Sequence, residues 1–185
     1  MSRSRPALRL VVNEPAARRP ARVAAAQRTG VRVVRAIALG SAGLTLSVAS
    51  AHVVELPNKL QLAGPLWLAV QQQLYRGWDL LTAPCEIAAI LASCTLVYLV
   101  RGRRSVMASA AAAATCMAIA LLLFAGIVAP VDTAVQSWTV ATLPASWPAY
   151  RVRWEIGHAI TAGLALTAVI AVLRTAFADA SARRA

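Results

Sequence analysis

The sequence predicts an all-α integral membrane protein, a four-helix bundle, and three observations predict it. Apolar residues make up 59% of the chain and mean hydropathy is +0.62, against about 45–50% apolar in ordinary soluble domains. Four runs, at 36–54, 80–100, 106–129 and 156–176, are apolar over the length of a span, which takes roughly 20 residues. The charged residues gather between these runs and beyond them. In 185 residues this leaves room for one bundle, with a tail over 1–30, a transmembrane domain over 31–177 and a second tail over 178–185.

The first 30 residues are rich in Ala, Arg and Pro and lack apolar periodicity. They predict a disordered cytoplasmic tail that touches anionic lipid headgroups. The run at 36–54 lies too far from Met1 and is too long for an ordinary cleaved signal peptide. Ahead of it stand Arg3, Arg5, Arg9, Arg18, Arg19, Arg22, Arg28, Arg32 and Arg35, opposed by Glu14. Arg101, Arg103 and Arg104 fill the turn between the second and third spans, and Arg174, Arg183 and Arg184 follow the fourth. The other two connections mix Lys59, Arg76, Arg151 and Arg153 with acids. The positive-inside rule puts both termini in the cytoplasm, for a multi-pass protein of a bacterial-type inner membrane. The net charge of +12 is then topogenic, and no base-reading motif accompanies it, so a nucleic-acid partner is not expected.

The first loop, 56–77, opens on Pro57, which should stop the first helix, and Gly64-Pro65 marks a turn. Leu66, Trp67, Ala69, Val70, Leu74 and Tyr75 then form an apolar stripe opposite Gln71 and Gln72. This predicts a short amphipathic helix in the membrane interface or folded over the bundle mouth. The second such loop, 130–154, carries Trp138, Trp147 and Trp154 with Pro144 and Pro148 between them. Together with Trp67 and Trp78 these tryptophans fit interfacial anchors or a hydrophobic lid. Ala108 to Ala114, with Gly40, Gly43, Gly157 and Gly163, should let helices approach closely. Cys85, Cys94 and Cys116 have no metal-ligand spacing and read as packing residues.

The chain has two histidines, and each is paired with a glutamate three residues away in mirrored order, His52-x-x-Glu55 and Glu155-x-x-His158. That spacing puts both side chains of a pair on one helix face. Glu86 lies inside another apolar run, and Asp79 and Asp132 belong to the same end of the bundle. Because the helices alternate in direction, all these groups share one membrane depth. Ionisable groups there are expensive and point to function.

His52, Glu86 and His158 are candidate catalytic groups, since imidazole and carboxylate exchange protons near neutrality. His52, Glu55, Glu86, Glu155 and His158 are also candidate ligands for iron, copper or zinc, with Asp132, Trp154 and Arg151 around them. Glu-x-x-His is the ligand unit of di-metal bundle proteins, although one unit here is reversed. A salt-bridged structural cluster and a proton or solute path are the alternatives. No acid or histidine stands in the cytoplasmic half of any span, so no continuous path is visible.

The stretches SAHVVELPNKLQL, WLAVQQQLYRGW, APVDTAVQSW and TLPASWPAYRVRWEIGHA together resemble the anthrone oxygenase-like family of small four-span membrane proteins. The resemblance covers 36–176. It implies a four-helix fold and an oxygenase converting an anthrone to an anthraquinone, or related oxidoreductase chemistry on a hydrophobic aromatic or quinone-like small molecule. The family's Pro-x-Asn after the third span reads Pro130-Val131-Asp132 here, and its Trp-then-polar entrance to the fourth helix is matched by Trp154 and His158. Asp132 and the sequence WEIGH depart from the family pattern.

Overall fold

Four helices long and apolar enough to cross a membrane pack side by side in the computed structural model, which describes residues 14–181, and the side chains of 22–178. Among the described residues all regular structure is helical. Helix α1 spans Glu14–Lys59, α2 Gly64–Gln73, α3 Asp79–Leu99, α4 Arg104–Leu123, α5 Ala129–Ser137 and α6 Trp147–Ser181. A π-helical turn, Phe124–Val128, joins α4 to α5, so that Arg104–Ser137 is one continuous rod. Around the bundle, α1 packs against α3 and α6, and α4 against the same two. Arg35 Nε donates to Thr175 Oγ1 at 2.8 Å, so the start of the α1 span meets the end of α6. Large apolar side chains such as Val54, Leu80, Leu91 and Leu122 face outward along the rods, as lipid-facing surface does.

Helix boundaries differ from the sequence expectation in five places. Residues 14–30, expected as tail, are the first turns of α1, while 1–13 lie outside the described residues. At the other end, 178–181 continue α6, and 182–185 lie outside the described residues. Pro57 does not stop α1, which runs on to Lys59. There Arg151 Nη1 donates to the carbonyls of Lys59 and Leu62, each at 3.1 Å, and satisfies the helix end.

Helix α6 begins at Trp147, not near Ile156. Pro148 sits in its first turn, where a missing N–H costs nothing. Glu155 and His158 are therefore two to three turns inside the helix, not at its start. The third span likewise continues through Pro130. A proline ring crowds the carbonyl four residues back and offers it no N–H. The chain relieves this by widening the preceding turn, and the Ala129 N–H reaches back to the Phe124 carbonyl. π-turns of this kind are frequent beside functional sites.

The bundle centre is built from small residues. Ala38, Ala42, Ala89, Ala92, Ala113, Ala165 and Ala168 are buried with Met117 and Val172. Close approach of backbones and the dispersion contacts it allows drive helix association in lipid. Alanine does this here, and most of the glycines do not. A Cβ placed on Gly40, Gly43 or Gly163 would meet nothing within 4 Å.

Gly157 is different, because a Cβ there would lie 2.6 Å from Val128 Cγ2. Gly157 is thus the residue that lets α6 press against the π-turn. Gly157→Ala should cost about 1–3 kcal/mol by overpacking. The double variant with Val128→Ala should melt above the sum of the two single losses. Thermal unfolding in detergent checks this.

Candidate functional site

The end of the bundle that carries both histidines, the histidine end, is roofed by α2 and walled by α5. Pro65 in the first turn of α2 presets the helix, which buries Gly64, Trp67, Leu68 and Gln71. Trp67 and Leu68 pack with Val128, Val131, Val135 and Trp154. Gln72 Nε2 donates to the carbonyls of Val135 and Trp138, each at 2.8 Å, and so satisfies the end of α5. Gly64 allows Trp147 to lie against α2, since a Cβ would come within 2.9 Å of the Trp147 ring. Four of the five tryptophans join this aromatic cluster, and Trp78 alone of the five stays exposed. The short helix is therefore folded over the bundle mouth, and the tryptophans form its lid.

Beneath the roof the ionisable residues divide into two groups. The first surrounds Lys59, which is 4% exposed. Its Nζ lies 3.1 Å from His52 Nδ1, 3.1 Å from Glu55 Oε2 and 3.6 Å from Glu155 Oε1. The same ammonium sits 4.9 Å from the Tyr75 ring centroid and 4.8 Å from that of Trp154, within cation–π range. The Tyr75 hydroxyl donates to Glu55. Burial and then that bond raise the Tyr75 pKa above its ordinary value, so the phenol stays protonated as a donor.

The second group lines a cavity of about 710 Å³, within the range of small-molecule sites. The His52 and His158 rings meet edge-on with centroids 4.3 Å apart, although their helices are joined by a long stretch of chain. Trp154 meets His52 edge-on at 4.5 Å and His158 at a tilt at 4.1 Å, and its Nε1 donates to Asp132 Oδ1 at 2.8 Å. Glu86 enters from α3, 3% exposed, and its Oε2 has no hydrogen-bond partner. Gln71 Nε2, on the same cavity wall, has none either. Buried polar atoms without partners are uncommon, and these two share one cavity wall. The rim runs through exposed Trp78, Asp79 and Leu80 on one side and Thr133 and Gln136 on the other.

The hydrogen bonds assign the imidazole tautomers. A lysine ammonium only donates, so His52 Nδ1 accepts from Lys59 and its ring proton sits on Nε2. A backbone carbonyl only accepts, so His158 Nδ1–H donates to the Trp154 carbonyl at 2.9 Å, and in the neutral ring Nε2 then carries the lone pair. As neutral rings the two cavity-lining histidines thus differ, His52 with a donor at Nε2 and His158 with an acceptor there.

The side chains expected to hold an iron, copper or zinc ion divide between two surroundings. His52 Nδ1, Glu55 and Glu155 are turned to a positive charge already present, that of Lys59. Glu86 lines the cavity with His52, whereas Glu55 and Glu155 do not. Among the described residues no three His, Cys, Asp or Glu side chains converge as a cation site. Of the expected residues, His52, His158, Glu86, Asp132 and Trp154 come together on the cavity, whereas Glu55, Glu155 and Arg151 belong to the surrounding ion-pair and capping structure. Lys59, Tyr75, Gln71 and Gln72 join the site without having been singled out for it. Lys59 carried a signal, being the one lysine in a chain of arginines and two helical turns from His52 on the same face.

Searched against family models, curated proteins and solved structures, the chain has no match in any of the three.

Proposed function

We propose that the cavity at the histidine end binds a hydrophobic aromatic small molecule bearing phenolic or keto oxygens and oxidises it by acid–base chemistry. The observation that carries this reading is the pair of imidazoles with different hydrogen-bond partners, packed against Trp154 beside a buried Glu86 oxygen without a partner. The histidine end faces away from the cytoplasm by the positive-inside rule, with both termini cytoplasmic in an inner membrane. A membrane-dissolved substrate would pass the apolar rim at Trp78 and Leu80. Tryptophan and tyrosine faces would hold its rings.

His158 Nε2 is the base that takes a proton from an acidic C–H or O–H of the substrate, and His52 Nε2–H is the donor that steadies the oxygen on which the charge develops. Glu86 is placed to accept a hydrogen bond from a second substrate hydroxyl. In the oxygenation that the sequence resemblance implies, the resulting anion is oxidised by dioxygen. The methylene carbon loses two hydrogens and gains one oxygen as a ketone, and the other oxygen leaves as water. No metal takes part in these steps, so turnover should be unchanged after dialysis against a chelator. Loss of turnover restored by one added metal would overturn the acid–base reading.

Glu86→Met tests whether the polar wall exists for a ligand. Replacing an unpaired buried polar group by an apolar one of similar shape is neutral or stabilising. The variant should melt at or above wild type, by up to about 1–2 kcal/mol, while substrate affinity falls at least about tenfold. A purely structural cluster would show the reverse, lower stability with nothing else changed.

A further inference from the structure

A second cavity, of about 830 Å³, lies at the opposite end of the bundle between α1 and the turn from α3 to α4. Arg28 and Arg32 line it from α1, and Arg101 and Arg103 from the turn, with Gln27 and Tyr98 between them. No acid lines it among the described residues. Arg28 and Arg32 are one helical turn apart, a like-charge spacing that weakens a helix by itself. No carboxylate of the described residues forms an ion pair with Arg28, Arg32 or Arg101. Arg101 is held in place, its guanidinium 4.2 Å from the Tyr98 ring centroid and its Nη1 donating to the Tyr98 carbonyl at 3.2 Å. Arginine forks suit phosphate oxygens.

This end is also where the span begins. Tyr98 on the cleft wall, and Val23 and Val33 beside the lining residues in the sequence of α1, are exposed apolar side chains, which would lie among acyl chains and glycerol backbones. A cationic cleft with apolar surroundings at the membrane surface has the composition of a headgroup site.

We infer that the arginine cleft of Arg28, Arg32 and Arg101 binds the phosphate of an anionic phospholipid at the cytoplasmic surface. The topogenic role of the arginines needs only their number and side of the membrane. A cleft with three guanidinium groups that no carboxylate of the described residues pairs with, on two separate elements, adds a site. The inference is independent of the chemistry proposed for the histidine end.

Native mass spectrometry of the full chain, released from micelles holding equal phosphatidylglycerol and phosphatidylcholine, tests it. Each arginine near an anionic headgroup is worth about fivefold in affinity. Retention of phosphatidylglycerol should therefore exceed that of phosphatidylcholine by at least about tenfold. The triple variant Arg28→Gln, Arg32→Gln, Arg101→Gln should retain the two lipids about equally, with its melting temperature in phosphatidylcholine micelles unchanged. Equal retention by wild type, or a preference that survives in the triple variant, would overturn the site. Millimolar inorganic phosphate is the third arm. Stabilisation by phosphate equal to that by phosphatidylglycerol would show a soluble-phosphate site and overturn the lipid assignment.

Discussion

His158→Ala should slow conversion of anthrone to anthraquinone by about 100- to 10,000-fold, the span expected when a positioned general base is removed. In the proposed reading the tautomer makes this residue the base. Its Nδ1–H is committed to the Trp154 carbonyl, one helical turn back, so Nε2 is the only ring nitrogen left to accept a proton. The fold should tolerate the change, because that bond lies within α6 and the carbonyl also belongs to the helix ladder. Melting temperature should drop by a few degrees at most. His52→Ala is a less clean test, since it also removes a partner of the buried Lys59. Turnover is read as the rate above spontaneous oxidation in matched detergent.

Lys59→Met should lower stability by about 3–5 kcal/mol, the cost of leaving a buried charge without its counter-ion. Lys59 and Glu155 are 4% and 5% exposed. Their contact at 3.6 Å joins α1 to α6, and Glu155 Oε1 has no hydrogen-bond partner of its own. Glu55 is 43% exposed and keeps its solvation when the ammonium goes. The loss should therefore arise mainly at Glu155. Lys59→Met with Glu155→Gln should recover much of it, and a double-mutant cycle by chemical unfolding measures the coupling. Additive losses would mean that the two charges do not interact.

Much of this architecture follows from sequence pattern, and the departures have identifiable causes. The four apolar runs, the helix between Gly64 and Gln73 and the gathering of His52, Glu86 and His158 at one end follow from apolar run length and alternating helix direction. The early start of α6 is hidden because Arg151 and Arg153 break the apolar run and Pro148 reads as loop punctuation, although the first helical turn accepts proline. The passage of the third rod through Pro130 depends on a π-turn that packs against Gly157, a tertiary fit that no local pattern signals. Helical spacing places Glu155 and His158 on one face, yet Glu155 turns to Lys59 and His158 to the cavity. A difference of three residues leaves about 60° of rotation, enough to reach different neighbours. Lys59 looks like an interfacial cation in the sequence and is buried because Tyr75 and Trp154 close over it.

The most direct measurement of the central claim is equilibrium binding of anthraquinone to the detergent-solubilised protein, followed by quenching of the cavity tryptophans. Thr133→Phe is the comparison, since Thr133 is an exposed rim residue whose enlargement narrows the entrance without touching the core. A saturable quench at one ligand per chain, lost or weakened at least about tenfold in Thr133→Phe, is the result this account predicts. A quench that rises without saturation and is the same in both proteins would mean that the ligand only partitions into the micelle, and would contradict it.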